Sequence, residues 1–111
     1  MEANLGVTML SDTTVTLVRH PLVDNPRGVY YGQLPGFKLS PLGLQQAQRV
    51  AEHFRGQRIA AIFSSPRLRA LQTAWLIADV LGINHIHVSK LLDEVYSWFD
   101  GHPIQELVER N

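Results

Sequence analysis

The 111-residue chain has no cysteine, which excludes disulfide cross-links, a thiolate nucleophile and thiolate-bound metal together. It also lacks any apolar run near the roughly 20 residues that a membrane helix requires. Charge of one sign is missing too. Ten Lys and Arg balance ten Asp and Glu, so no overall field favours nucleic acid or an anionic bilayer. Residues 1–12 hold neither Lys nor Arg; they do not form a secretory signal and read as a flexible leader, in keeping with a cytoplasmic protein. What is present, 45% hydrophobic and 18% charged residues, is the composition of one folded domain, expected over residues 13–111.

Residues 14–18 are a β-branched run that predicts a first strand ending at Arg19-His20. Pro21 stops it. Residues 21–39 then form a long segment holding three prolines, three glycines and the aromatics Tyr30, Tyr31 and Phe37. A loop of that length in a compact domain is functional or disordered, and the aromatics favour an ordered loop folded over something.

Ser40-Pro41 predicts a helix start, with a serine cap and proline at the first helical position. Leu44, Ala47 and Phe54 follow at helical spacing, and Gly56 closes the element. Residues 59–63 are continuously apolar and predict a short buried strand. Residues 66–81 predict a second helix stopped by Gly82, residues 85–88 a third strand, and residues 103–110 the opening of a third helix. Strand, helix, strand, helix, strand implies crossover units and a mainly parallel sheet covered by helices, an α/β three-layer sandwich. In such sheets ligands bind beyond the carboxyl ends of the strands. His20 and the Ser64-Ser65-Pro66 corner both fall there, and the free N–H groups of the second helix would face the same crevice.

Two guanidinium groups and an imidazole converging on that crevice suit a phosphoryl group, because arginine forks match phosphate oxygens and neutral histidine attacks phosphorus. Arg67 and Arg69 are two apart at a helix start, about 200° around the axis, so only one readily faces the crevice and the other faces solvent, unless both are solvated surface arginines; spacing does not choose between them. Glu94 follows Leu91-Leu92-Asp93 and precedes Tyr96, Trp98 and Phe99. It is either a surface carboxylate or a carboxyl against apolar walls, poised as an acid. His85 and His87 share a strand face, but the sequence places no third metal ligand beside them. His53 falls on an outer helix face and His102 in a loop.

In this order the motifs resemble the histidine phosphatase superfamily, with its phosphoglycerate-mutase-like fold. Leu17-Val18-Arg19-His20 is similar to its nucleophile motif. The segment from Asn25 through Gly43 resembles the phosphate-side loop and first helix of one bacterial branch. Ser64-Ser65-Pro66 through Ala74 resembles the second motif, and Leu92-Asp93-Glu94-Val95 leading to Gly101 the third. The resemblance implies a phosphohistidine on His20, a phosphate clamp from Arg19 and Arg69 rather than Arg67, a phosphate contact from Asn25, and Glu94 as the acid that protonates the leaving oxygen. It implies a small-molecule phosphate ester as partner and no metal or organic cofactor.

The sequence departs from the family pattern at Pro21 and Leu22, where glycine or alanine and then glutamate are usual. Proline removes an N–H beside the phosphate and adds bulk. No candidate for the family's second pocket histidine follows the third motif before Asn111, so the chain reads as the N-terminal part of the fold, incomplete on its C-terminal side. An unpaired sheet edge and an uncovered helix surface are expected, to be covered by a missing segment or by another copy. Loss of one pocket group would cost several powers of ten in rate. The expected function is a phosphomonoester hydrolase; the alternatives are a non-catalytic phosphate-binding or assembly module, and a phosphoglycerate-type mutase.

Overall fold

The computed structural model describes residues 12–94 and 100–105. The regular elements within them are helix α1 (Pro41–His53), strand β1 (Phe63–Ser64), helix α2 (Leu68–Leu81), strand β2 (His87–Val88) and a 3-10 turn at Lys90–Leu92. The Ser40 hydroxyl caps α1 by accepting from the Gly43 N–H, and Pro41 occupies the first turn, as the sequence predicts. α2 ends on Gly82 in the left-handed region at φ 70°, where the Ile83 N–H donates to the Ala78 carbonyl at 2.9 Å. The ordered loop is also borne out. Val23 pairs with Leu39 across an antiparallel bridge, and Val23, Val29 and Leu39 are buried.

β1 and β2 pair in parallel, Phe63 opposite His87 and Ser64 opposite Val88, and α2 is the crossover between them. One helical layer covers this sheet. Ala51, Phe54 and Ile77 form a core with Ile59 and Ile62 against it, and Ala74, Ala78 and Ile86 form a second with Ile62 and Ile83. Ala51 of α1 meets Ile77 of α2 in the first cluster, and Ala47 and Ala78 are fully buried. The fold is an α/β architecture in which a parallel strand pair is covered by helices, as the sequence predicts.

Two expected strands differ. Residues 14–18 form no regular element, and Leu17 is 89% exposed. β-propensity describes a residue that suits a half-buried pleat; a strand also needs a partner, and no described residue pairs with this run. The run 59–63 is not a buried strand either. Its ladder begins only at Phe63, and Phe63 is 63% exposed, because the helices lie against the Ile62 face and leave the Phe63 face open. Residues 104–105 are helical, within the expected third helix; residues 106–110, the leader at 1–11 and the aromatics Tyr96, Trp98 and Phe99 lie outside the described residues. No described helix is long and apolar enough to cross a membrane.

Candidate active site

The site is built on the segment that enters α1. The Ser40 N–H donates to the Leu22 carbonyl at 3.0 Å, and the Asp24 N–H donates to the Lys38 carbonyl at 2.8 Å. The Leu22 N–H donates to Gln46 Oε1 at 3.2 Å. Only glycine fits at position 43, since a Cβ there would stand 2.0 Å from the Leu22 oxygen. This clamp holds the chain two residues after His20, whose half-buried ring places Nδ1 2.9 Å from the Pro21 carbonyl. A carbonyl only accepts, so this contact assigns the proton of the neutral ring to Nδ1 and leaves the lone pair on Nε2. The His20 ring stands 6.2 Å from that of Tyr31.

Arg69 reaches the same tyrosine from the second motif. Its guanidinium lies 4.6 Å from the centre of the Tyr31 ring, within cation–π range, and Phe37 stacks on Tyr31 at 5.4 Å. Arg69 is 1% exposed, among the most buried large side chains of the chain. Its Nη2 donates to the Gly32 carbonyl, while Nε is buried with no partner. Burial pulls this guanidinium below the ordinary arginine range, offset in part by the carboxylate of Glu94. Glu94 Oε1 stands 3.9 Å from Arg69 Nη2, and its side chain is 44% exposed.

Arg67 corrects the expectation that one of the two arginines faces solvent. Nε bonds both oxygens of Asp93 at 3.0 Å, Nη2 approaches Asp93 at 2.8 Å, and Nη1 donates to the Gln33 carbonyl. Arg67 does not follow helical spacing because it is the residue before α2, with extended backbone at ψ 141°, not part of the helix. With its charge matched by Asp93, it serves as a strut between the loop and the third motif. Both arginines therefore converge on one segment, Tyr31-Gly32-Gln33, and Gln33 Nε2 adds a 2.6 Å bond to the Glu94 carbonyl.

The structure thus gathers His20, Arg69 and Glu94 around Tyr31 and its neighbours. Arg19 is exposed. Asn25 spends its side chain locally: Nδ2 donates to the Val29 carbonyl at 2.9 Å and Oδ1 accepts from the Val29 N–H at 3.2 Å, which leaves one N–H of the amide. Sequence reasoning missed Gln33, Asp93 and Asp100, whose roles come from loop geometry; the glycine at position 32 was the visible signal. His85 and His87 stand 4.5 Å apart edge to face, and no cluster of three potential metal ligands occurs among the described residues. A shallow groove of about 610 Å³ lined by Leu44, Trp75, Leu76 and Ile83 contains none of the site residues.

Known proteins are similar to this chain over part of their own length. An uncharacterized protein of Mycobacterium tuberculosis is 47% identical over 70 residues, 63% of this chain and 35% of that protein. Phosphoserine phosphatase 1 of Hydrogenobacter thermophilus is 30% identical over 85% of this chain and 44% of its own length. Among solved structures, a mycobacterial glucosyl-3-phosphoglycerate phosphatase superposes with a TM-score of 0.71 at 28% identity, covering 82% of this chain and 43% of that one. A phosphoserine phosphatase of Entamoeba histolytica, bound to 3-phosphoglyceric acid, gives 0.62 at 35% identity over 73% of this chain and 39% of its own. The chain spans less than half the length of each of these relatives. The model of the histidine phosphatase superfamily (branch 1) matches residues 15–111, and the chain belongs to that family.

Proposed function

We propose that the site hydrolyses a small phosphomonoester through a phosphohistidine on His20. The observation that carries this is the shared tyrosine: His20 and a buried, incompletely satisfied Arg69 approach the same Tyr31 ring. The N-terminus of the 14-residue α2 has no side-chain cap, so its first N–H groups add a second attraction for an anion at the same corner. Arg69, with Arg19 from the nucleophile segment, neutralises the phosphoryl oxygens. Nε2 of His20 attacks phosphorus in line, the P–O bond to the ester oxygen breaks, and Glu94 gives that oxygen its proton. Water then attacks the phosphohistidine and gives its proton to the Glu94 carboxylate; the P–N bond breaks, returning His20 and Glu94 and releasing orthophosphate. The remaining N–H of Asn25 is available to a phosphate oxygen. The named relatives act on phosphoserine and glucosyl-3-phosphoglycerate, so phosphorylated small hydroxy acids are the substrates to assay first.

The alternative of a phosphate-binding module without turnover is favoured by Pro21, which has no N–H to offer a phosphate. Incubation with a ³²P-labelled phosphate ester, followed by a quench, separates the two. Acid-labile, alkali-stable label on His20, lost in His20→Ala, supports catalysis. Phosphate affinity without label, retained in His20→Ala, supports the module.

A further inference from the structure

We infer that Asp100 is a positioning residue for the phosphate site, setting Arg69 through the peptide between Gly32 and Gln33. This inference rests on the phosphate reading above and adds to it a residue that touches neither His20 nor Arg69. One carboxylate oxygen of Asp100 accepts the Gln33 N–H at 3.1 Å. The group fills the space where any side chain at position 32 would begin, for a Cβ on Gly32 would lie 2.0–2.6 Å from its carboxyl atoms. Gly32 is buried and holds φ at +41°, a conformation that L side chains rarely adopt. The two carbonyls flanking this contact are the acceptors of the two arginines: Gly32 for Arg69 and Gln33 for Arg67.

Residues after Asp100 fix its backbone in turn, while its other carboxylate oxygen, Oδ1, is buried without a hydrogen-bond partner. The Gly101 N–H donates to the Tyr30 carbonyl at 2.7 Å, the Tyr30 N–H to the His102 carbonyl at 2.7 Å, and the Ile104 N–H to the Gly28 carbonyl at 2.9 Å. Segment 100–104 is therefore laced to segment 28–33, and Asp100 is the point at which that lacing meets the arginine-bearing loop. The role is steric and directional. An acceptor of aspartate length is required at one place, and the negative charge is not what the peptide N–H needs.

That distinction sets the test. Asn at position 100 keeps length and one acceptor; Glu keeps charge but adds a methylene against the Gly32 backbone. Orthophosphate affinity is measured by calorimetry, and the Arg69 Nε–H resonance by ¹⁵N-edited NMR, for the whole chain and for Asp100→Asn, Asp100→Glu and Asp100→Ala. We expect Asp100→Asn to stay within about threefold of the parent, and the Glu and Ala variants to lose about tenfold in affinity, the scale of one charge-assisted hydrogen bond. The Arg69 Nε–H should exchange slowly in the parent and Asn variant and quickly in the other two. Affinity retained by Glu and lost by Asn would overturn the inference, as would equal affinities in all four. The Asn and Glu pair decides the matter even where Ala unfolds. Should the parent bind no phosphate, the phosphate reading itself fails, and the Nε–H exchange of the pair still reports whether Asp100 sets Arg69.

Discussion

Replacing Arg69 by methionine separates function from stability. The side chain is 1% exposed, and methionine fills most of the space of its stem without the charge. The substitution forfeits the charge-assisted bond to the Gly32 carbonyl, about 1.5–3 kcal/mol, and the contact with the Tyr31 ring, about 0.5–2 kcal/mol. It relieves the desolvation of a guanidinium with one buried, unpartnered nitrogen, a cost of several kcal/mol for a buried ion. These terms oppose one another at similar size. Arg69→Met is therefore expected to change unfolding free energy by no more than about 2 kcal/mol, read as a small shift of the urea midpoint at constant slope. Orthophosphate affinity, by contrast, should fall about 10²- to 10³-fold, the scale for loss of one oriented donor. A variant destabilised by more than about 4 kcal/mol that still binds phosphate like the parent would refute the reasoning and make Arg69 a structural strut.

Three further substitutions probe the frame. Gly43→Ala drives a Cβ to 2.0 Å from the Leu22 oxygen and should cost about 1–3 kcal/mol in urea unfolding, while broadening the His20 imidazole resonances because the clamp beside it moves. Ala47→Leu, at a fully buried position of α1, should cost a similar ~1–3 kcal/mol in the same assay and leave the His20 resonances in place. Asp93→Asn breaks the pair with Arg67, whose side chains are 22% and 7% exposed for Arg67 and Asp93; about 2 kcal/mol is expected, less than the 3–5 of a fully buried pair, and a double-mutant cycle with Arg67→Met should recover most of it.

The elements legible in the sequence were those fixed by local chemistry. Ser40-Pro41 announced α1 and Gly82 ended α2, because caps and left-handed stops depend on a few adjacent residues. The arginines at the Ser64-Ser65-Pro66 corner were legible as a pair, but not their division of labour. Helical spacing was applied to Arg67, which stands one residue before the helix, and its carboxylate partner Asp93 is far away in sequence. The run 14–18 shows the complementary limit, since its residues suit a strand and pairing is decided elsewhere. Gly32 and Asp100 illustrate a third kind of information. A missing Cβ on one segment and a carboxylate on another are complementary in shape, and neither segment alone reveals it.

Phosphoryl chemistry at this site requires His20 and Arg69 to address one anion. A crystal structure of the chain soaked with orthophosphate tests this directly. A phosphate is expected beside the Tyr31 ring, with one oxygen on the Arg69 guanidinium and the phosphorus facing Nε2 of His20. Phosphate bound away from this corner, or at Arg69 with His20 Nε2 turned from it, would contradict the account.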